Sequence, residues 1–451
     1  MVKAIEKNNN LRSDKPKSTQ RDDKRKQFPT PKRQTSSKDQ VKNQDPSKVK
    51  KIQKSSKPSS ELQSHYQRIV INVKKSKLNK EILNKSISEF LEYLKKNTAT
   101  LTGKVVGAKV LQLCLKYGTN SHRETILLVL LKTDFVALCG STYGGFIVAK
   151  IFRYCDKVDS IKVVKEFFRN NFRDLLKKKE NLIALNGFIN SMDEKTALNY
   201  LEKEVEATKF DEFYGSELIE YTESKPSLTK LSLWYYLIYH FFNTINEDLK
   251  VSLVQTVLKH VDEAINKSEQ KIFVVLCILQ IFLNVNFKNK KEIIKKFLKE
   301  KYLEYYIKHS GFIYLLIGLL KKISDSKVIN ITILKALKGQ FEMFFNNVDI
   351  AKLIELLFSD SVANRLQKDK FYKCNPAIKR LLEIEVIDND TVFKSNIEHI
   401  RGELSNESDL LNYFTFDQIK NRITENSTFS LLYSSLIEHM LKSKIIRSKY
   451  V

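Results

Sequence analysis

Long apolar runs, paired cysteines, glycine and proline are all scarce in this sequence of 451 residues. No run reaches the roughly 18 apolar residues that a membrane-spanning helix needs. The N-terminus has no apolar segment, so we expect neither a membrane protein nor a secretory signal. The five cysteines include no Cys-x-x-Cys pair, which fits reduced thiols better than a disulfide framework.

Catalytic and metal-binding motifs are also missing. No phosphate-binding loop, zinc-protease motif or nucleophile elbow occurs, and none of the seven histidines lies at metal-ligand spacing from another. Cys139, near Tyr143, is better explained by small-residue packing than by nucleophilic chemistry. We therefore expect no enzyme activity, no cofactor, no metal site and no small-molecule substrate.

Positive charge and proline are concentrated at the start of the chain. Residues 1–60 hold five of the seven prolines and 18 Lys and Arg against 6 Asp and Glu, a net charge of +12 (18 − 6). They contain no glycine and a single aromatic residue, Phe28. Such a segment cannot bury enough apolar area to offset its ordering entropy. We therefore predict a disordered basic tail over residues 1–68.

Two basic clusters in this tail resemble a nuclear import signal. They could equally contact RNA non-specifically, or they could be solvated charge without a function. The residues of these clusters are Lys24, Arg25, Lys26, Lys32 and Arg33. The whole chain carries +26, so the residues after the first 60 contribute the remaining +14 (26 − 12). This excess points to a polyanionic partner.

From about Arg68 onward, the apolar pattern predicts helices almost throughout. Apolar residues recur at the spacing i, i+3, i+4 and i+7, and alternation typical of strands is scarce. Only Pro226 and Pro376 interrupt this part of the chain. Pro226 lies in a polar stretch that predicts a loop, with a possible break between two halves.

Two segments in this helical region can be aligned with each other. Residues 107–118 (GAKVLQLCLKYG) and 144–155 (GGFIVAKIFRYC) place Gly107 and Gly144 37 positions apart, and Tyr117 and Tyr154 likewise. Each segment opens with a small residue, continues as a helix and ends at a basic–tyrosine pair. Gly118 would suit a position of positive φ after the first helix, and residues 121–124 have capping-box spacing. A helical repeat of this length is typical of an α-solenoid.

The two segments resemble the Pumilio repeat, through LKYG at 115–118 and STYGGFIV at 141–148. The wider order resembles the Puf-A (Penguin-like) family of nucleolar proteins. Three later stretches support that resemblance in co-linear order: FYGSELIEY at 213–221, SGFIYLLIGLLKKISDSK at 310–327 and KCNPAIKRLLE at 373–383.

This resemblance implies an all-α, L-shaped solenoid of about eleven degenerate Pumilio-type repeats. It implies N-terminal repeats over 69–220 and a degenerate C-terminal Penguin-like region over 221–451. It also implies a monomeric nucleolar protein that binds structured or single-stranded nucleic acid with little sequence preference. Its expected work is large ribosomal subunit biogenesis, with pre-rRNA and pre-ribosomal particle proteins as partners.

Recognition of one base per repeat needs side chains that can reach a base edge or stack on its face. The matching positions are Ala108, Lys109 and Gln112 in the first segment, and Gly145, Phe146 and Ala149 in the second. Small residues at three of these positions cannot read a base, so phosphate contacts would supply most of the affinity. The predicted RNA-binding residues are Lys104, Lys109, Gln112, Phe146, Lys150 and Arg153.

Alternatives remain open for both residues and function. Phe146 could be a core residue, Gln112 and the lysines could be solvated, and the aromatic run 233–242 favours a buried helix over a stacking surface. Two other functions compete with RNA binding in the nucleolus. One is a helical-repeat adaptor that binds acidic protein segments, and the other is a cytoplasmic, sequence-specific repressor of messenger RNA.

Overall fold

The computed structural model describes residues 60–75, 79–268, 270–284, 299, 313–338, 353, 356–368 and 376–406. All of them fall in one compact unit, 56–451. Every regular element in these ranges is helical, and none of the helices is both long and apolar enough to cross a bilayer. The α-helices are α1 Ser60–Lys75, α2 Lys80–Thr102, α3 Val105–Tyr117, α4 Asn120–Leu131, α5 Phe135–Gly140, α6 Gly144–Tyr154, α7 Ile161–Leu176, α8 Leu182–Ile189, α9 Glu194–Glu206, α10 Tyr214–Ser224, α11 Ser232–Phe241, α12 Glu247–Lys267, α13 Lys271–Asn284, α14 Ile313–Lys322, α15 Ser326–Ile329, α16 Lys335–Lys338, α17 Val362–Lys368, α18 Pro376–Leu382 and α19 Thr391–Asn406.

Shorter segments of other helix types join some of these elements. A π-helical turn over Asn330–Leu334 links α15 to α16. Three 3₁₀ turns cover Lys179–Asn181, Pro226–Lys230 and Ile384–Asn389. Pro226 stands at the first position of its turn, where a missing N–H costs nothing, so the predicted loop is an ordered connection.

The helices stack side by side in a row. Helix α3 packs against α6, α6 against α8, α8 against α11, α11 against α13, and α13 against α14. A second layer pairs α2 with α4 and α7 with α9. Each helix thus buries one face against its neighbour in the row, which is the arrangement of an α-solenoid.

The same backbone turn recurs three times at the 37-residue spacing, and we interpret the third turn as the start of a third copy of the repeat. The N–H of Lys104 donates to the carbonyl of Leu101 at 3.3 Å, and Ser141 donates to Leu138 at 3.2 Å. The N–H of Lys178 donates to Leu175, also at 3.2 Å. These three turns each lead into a helix of the row, so the third copy leads to α8.

Close backbone approach explains the small residue that opens each aligned segment. A Cβ on Gly107 would collide with the carbonyl oxygen of Leu101, and one on Gly144 would collide with that of Leu138. Gly118 does not have the positive φ predicted for it, because its φ is −71°. A Cβ there would instead lie 2.5 Å from the carbonyl oxygen of Cys114.

Side-chain caps define the start of several helices. Asn79, Asp134, Asp193 and Asn246 each accept a hydrogen bond from an N–H in the first turn that follows. The capping box of α4 lies two residues before the predicted position, with Thr119 as the N-cap and His122 as its partner. Ser121 is inside the helix and therefore cannot be the N-cap.

Two predicted boundaries need correction. Helix α1 begins at Ser60, inside the predicted tail 1–68, because Leu62 and Ile69 supply one apolar stripe that is buried against α2 and α3. The division at 220/221 falls inside α10. The helix row continues without a break past that point, since α11 packs against both α8 and α13.

The aromatic run 233–242 forms α11 and its end, and its burial is confirmed. Trp234, Tyr235 and Tyr236 are each at most 2% exposed. The indole N–H of Trp234 donates to the Thr222 hydroxyl at 2.9 Å, which satisfies its polar edge within the core.

Two later stretches that carried the family resemblance contact each other. Lys321, from 310–327, is buried, and its ammonium group donates to the carbonyl of Leu382 and to the carboxylate of Glu383, both at 2.8 Å. Both partners belong to 373–383. The pKa of the Glu383 carboxyl is lowered by this hydrogen bond and by the charge of Lys321. The pair joins α14 to the end of α18.

A histidine at the start of α4 makes the stability of this region depend on pH. His122 Nδ1 accepts from the N–H of Thr119 at 3.2 Å, and its Nε2 lies 3.0 Å from the Ser88 hydroxyl. Burial lowers the pKa of His122 below 6.5, so the folded protein holds it neutral, with the proton on Nε2. The contribution of His122 to stability is therefore fully present above pH 6.5. It is lost as the pH falls toward the lowered pKa.

We expect the urea concentration at the unfolding midpoint to decrease as the pH is lowered from about 7.5 to about 5. His122→Asn keeps an acceptor for the N–H of Thr119 but does not titrate, so it should flatten this dependence. It should not abolish it, because burial also lowers the pKa of His65 and His240. A variant as pH-sensitive as the parent would exclude His122 as a contributor.

Candidate nucleic-acid interface

The six predicted RNA-binding residues lie on two adjacent helices of the row, since α3 packs against α6. Lys109, Phe146 and Arg153 are exposed, and the other three are partly buried. The first group, Lys104, Lys109 and Gln112, lies at the start of α3 and along it. The second group, Phe146, Lys150 and Arg153, lies on α6. The structure therefore brings together the two sets that the repeat alignment identified.

Phe146 is exposed, so its alternative assignment to the core is wrong. Its side chain is 40% exposed, whereas Ile147 and Val148 beside it are fully buried. Lys109, its counterpart in the first repeat, is exposed too. One flat apolar side chain and one cation thus occupy equivalent positions on neighbouring repeats, where a base can stack on the ring and a phosphate can meet the ammonium group.

Of the three small positions that would read base edges, Ala108 and Gly145 are closed by packing and Ala149 is half-buried. Ala108 is 2% exposed. A Cβ on Gly145 would lie 3.3 Å from the Cβ of Ile183, and Ala149 lies against Gly187 of α8. No side chain at these three positions can offer a hydrogen bond to a base, which leaves Gln112 as the one amide in the set.

The basic–tyrosine pairs at the helix ends extend the surface. The ammonium of Lys116 lies 4.8 Å from the ring centre of Tyr117. In the next repeat, Lys150 and Arg153 lie 5.8 and 5.9 Å from the ring centre of Tyr154. Cations over aromatic faces keep both groups oriented at the surface.

The charges of the two pairs also influence each other across the repeat boundary. The pKa of Lys116 is raised mainly by a hydrogen bond to the Tyr117 hydroxyl, and Tyr154 acts in the same direction. The charge of Arg153 opposes the shift. Sequence reasoning predicted Arg153 as a site residue. It used Lys116, Tyr117 and Tyr154 only to mark the repeat, although the basic–tyrosine pair itself was the signal. We call Lys109, Lys116, Tyr117, Phe146, Lys150, Arg153 and Tyr154 the α3–α6 strip.

The strip does not continue onto the third copy of the repeat. Ile183, Asn186 and Asn190 stand 37 positions after Phe146, Ala149 and Arg153. Asn186 is buried, and its amide oxygen accepts from the N–H of Leu233 at 3.0 Å. The amide oxygen of Asn190 accepts from the Ser232 hydroxyl at 2.8 Å. These amides hold the start of α11 and are not offered to a ligand.

The thiols in the described ranges are buried. Cys114, Cys139, Cys155 and Cys277 are free and buried. Burial raises the pKa of Cys139 to about 12, which fits packing better than nucleophilic chemistry. No group of three or more potential metal ligands occurs among the described residues. The basic clusters of the tail lie outside those residues.

Comparisons with known proteins find similarity to a Pumilio homology protein and to Puf-A. No protein-family model matches the chain. A segment of 68 residues, 15% of the chain, is 37% identical to "Pumilio homology domain family member 6" of Schizosaccharomyces pombe and spans 10% of that protein. The fold is similar to the crystal structure of human Puf-A, with a TM-score of 0.52, 16% identity, and coverage of 83% of this chain and 73% of that one. The crystal structure of human Puf-A in complex with DNA is similar too, with a TM-score of 0.51 and 16% identity. The match covers 84% of this chain and 76% of that one.

Proposed function

We propose that this chain, which has the fold of Puf-A and a segment similar to a Pumilio homology domain protein, binds nucleic acid along the α3–α6 strip. The all-α Pumilio-type solenoid and the resemblance to Puf-A are confirmed. The L shape and the number of about eleven repeats stay predictions. The proposed ligand is single-stranded RNA, bound through phosphate contacts and stacking with little preference for sequence.

One observation carries the proposal: exposed cations and rings flank base-reading positions that packing has closed. Lys109 and Arg153 are exposed, while Ala108 and Gly145 are buried. Phosphates are the same in every nucleotide and every base has a face for stacking, so such a surface holds RNA regardless of sequence. Gln112 alone can add a base-edge contact.

We place this RNA binding in the nucleolus, in biogenesis of the large ribosomal subunit and processing of pre-rRNA. The support is the resemblance to the Puf-A family, together with the basic clusters at 24–26 and 32–33 that resemble an import signal. The chain's match to the curated fission-yeast protein spans about a tenth of that protein's length. Pre-ribosomal proteins are the proposed partners, and the chain acts as a monomer without catalysis.

Charge reversal on the strip tests the binding mode. We expect Lys109→Glu/Lys150→Glu to weaken binding to several unrelated single-stranded RNAs by about tenfold or more at low salt. The slope of log K against log salt should become shallower by about 1.4, since each single-strand phosphate contact contributes about 0.7. Fluorescence anisotropy over a salt series measures both quantities.

The matched control is Lys80→Glu/Lys195→Glu, which makes the same change in net charge. Both lysines are exposed and lie in the first turns of α2 and α9, where an acidic residue is favoured by the helix dipole. Equal losses of RNA affinity in both variants would show that only the overall net charge matters. Strong preference for one short motif with a shallow salt slope would contradict non-specific binding.

Crosslinking in cells, with sequencing of the attached RNA, tests the biological part. Sites concentrated in pre-rRNA are the expected result. Sites in the 3′ ends of messengers, or exclusion of a tagged chain from the nucleus, would favour the messenger repressor. If the strip variant kept its RNA affinity but lost a protein partner, the adaptor would be the better account.

A further inference from the structure

A second cationic surface lies in the other layer of helices, away from the α3–α6 strip. Helices α7 and α9 enclose a cavity of about 470 Å³. Its lining contains four cations against two carboxylates, so it carries a net charge of +2 (4 − 2). The lining residues that the argument uses are Arg169, Asn170, Arg173, Lys177, Glu204 and Lys209, which we call the α7–α9 groove.

The cations of α7 form a row because they recur every four residues. Lys165, Arg169, Arg173 and Lys177 therefore occupy successive turns of one helix face. At 1.5 Å per residue, the row is about 18 Å long. A row of that length suits an extended polyanion better than a single small anion.

Two of the groove cations are already neutralised and two are not. Arg173 pairs with Glu204 at 2.7 Å, and Lys177 pairs with Asp174 at 3.0 Å. Neither Arg169 nor Lys209 has an acidic partner within ion-pair distance in the described part of the chain, and Lys209 is exposed. The paired residues fix the wall of the groove, and the unpaired ones remain open to a ligand.

The charges of two groove arginines act on the same buried hydroxyl. Burial, followed by the charge of Glu204, raises the pKa of Tyr200, whereas Arg169 and Arg173 act to lower it. The Tyr200 hydroxyl is buried, and it makes no hydrogen bond within the described residues. Arg169 and Arg173 both line the groove.

The lining favours a nucleic acid over a protein partner. Interfaces between proteins are built around apolar and aromatic anchors, and Ala207 is the only apolar residue in this lining. Interfaces with nucleic acid are more polar and more positive. The lining offers no aromatic side chain on which a base could stack, so the contacts fit a phosphate backbone whose bases are already paired.

We propose that the α7–α9 groove binds the backbone of double-stranded RNA, as a second contact surface beside the α3–α6 strip. This inference rests on the proposed function, because it assigns the paired regions of the same RNA to a separate face. Arg169 and Lys209 make the main phosphate contacts, and Asn170 adds a hydrogen-bond donor. The protein would then hold a single strand on one face and a duplex on the other.

The test compares a blunt RNA duplex with oligouridylate of the same nucleotide length, using the full chain. We expect Arg169→Glu/Lys209→Glu to weaken duplex binding by about tenfold and to reduce its salt slope by about 1.8. Its affinity for oligouridylate should stay within twofold of the parent, about 0.4 kcal/mol. Lys80→Glu/Lys195→Glu is again the control of equal charge.

Each other outcome has a distinct meaning. Duplex affinity equal to that of the control variant would overturn the proposal, as would equal losses for duplex and single strand. Binding of a polyglutamate peptide that is lost in the groove variant, with duplex binding intact, would assign the groove to an acidic protein. Failure of the proposed function would appear separately, as oligouridylate binding that Lys109→Glu/Lys150→Glu leaves unchanged.

Discussion

Replacing Phe188 with alanine should lower the free energy of unfolding by about 3–5 kcal/mol, the range for truncation of a buried aromatic ring. Phe188 is 1% exposed and lies at the centre of a cluster of rings in the solenoid core. Its ring is stacked on Phe168 at 5.3 Å and lies 5.5, 6.2 and 5.8 Å from the rings of Phe152, Phe172 and Tyr200. Four partners from α6, α7 and α9 cannot all close the space it leaves, so a cavity remains.

Urea unfolding can be followed through the single tryptophan, Trp234, whose helix α11 packs against α8. The control is Phe146→Ala, which removes the same ring from an exposed position. We expect that variant to change the free energy of unfolding by about 0.5 kcal/mol or less and to weaken single-stranded RNA binding by about 1–3 kcal/mol through lost stacking. If Phe146→Ala lowered the free energy of unfolding as much as Phe188→Ala does, Phe146 would be a core residue.

This pair of phenylalanines shows how far the sequence could predict the site. Both lie in short apolar helices, and periodicity alone left Phe146 open to either a core or a surface role. Alignment of the two repeats placed it at the position of Lys109, which cannot be buried without a partner. The final assignment depends on which side of α6 packs against α3 and α8, and that follows from the stacking of repeats.

The third copy of the repeat is recognisable from its backbone geometry but not from its side chains. The turn from Leu175 to Lys178 matches the earlier two, although α8 lacks the basic–tyrosine ending that identified the first copies. Sequence comparison depends on side chains, so it found two copies and missed the third. The same reason hid the end of the strip, since Asn186 looks like a base-reading amide until its bond to Leu233 is known.

The α7–α9 groove could not be predicted from the sequence for a different reason. Its row of cations is visible at a four-residue spacing on α7, but a charged helix face is usually solvated surface. What makes it a groove is α9, whose Glu204 reaches Arg173 from 31 positions away. Pairings at that separation are set by how neighbouring repeats stack.

Replacing Gly187 with alanine should lower the free energy of unfolding by about 3 kcal/mol, at the upper end of the usual cost of overpacking. A Cβ on Gly187 would lie 2.5 Å from the Cα and 2.9 Å from the Cβ of Ala149. The obstacle on the α6 side is backbone, which cannot move aside as the end of a flexible side chain can. Helices α6 and α8 would therefore have to separate, and the loss would spread to the packing of both.

Gly402→Ala provides the matched control because it makes the same change in the interior of helix α19. A Cβ at Gly402 meets nothing within 4 Å. Alanine is the better helix former by about 1 kcal/mol, so this variant should be stabilised by up to that amount. The helix propensity gained is the same at both positions, and the difference between the two variants therefore measures the contact between α6 and α8. If Gly187→Ala were also stabilising, the two helices could not be packed as closely as the structure has them. The space between Ala149 and Gly187, next to the α3–α6 strip, would then be open to a base.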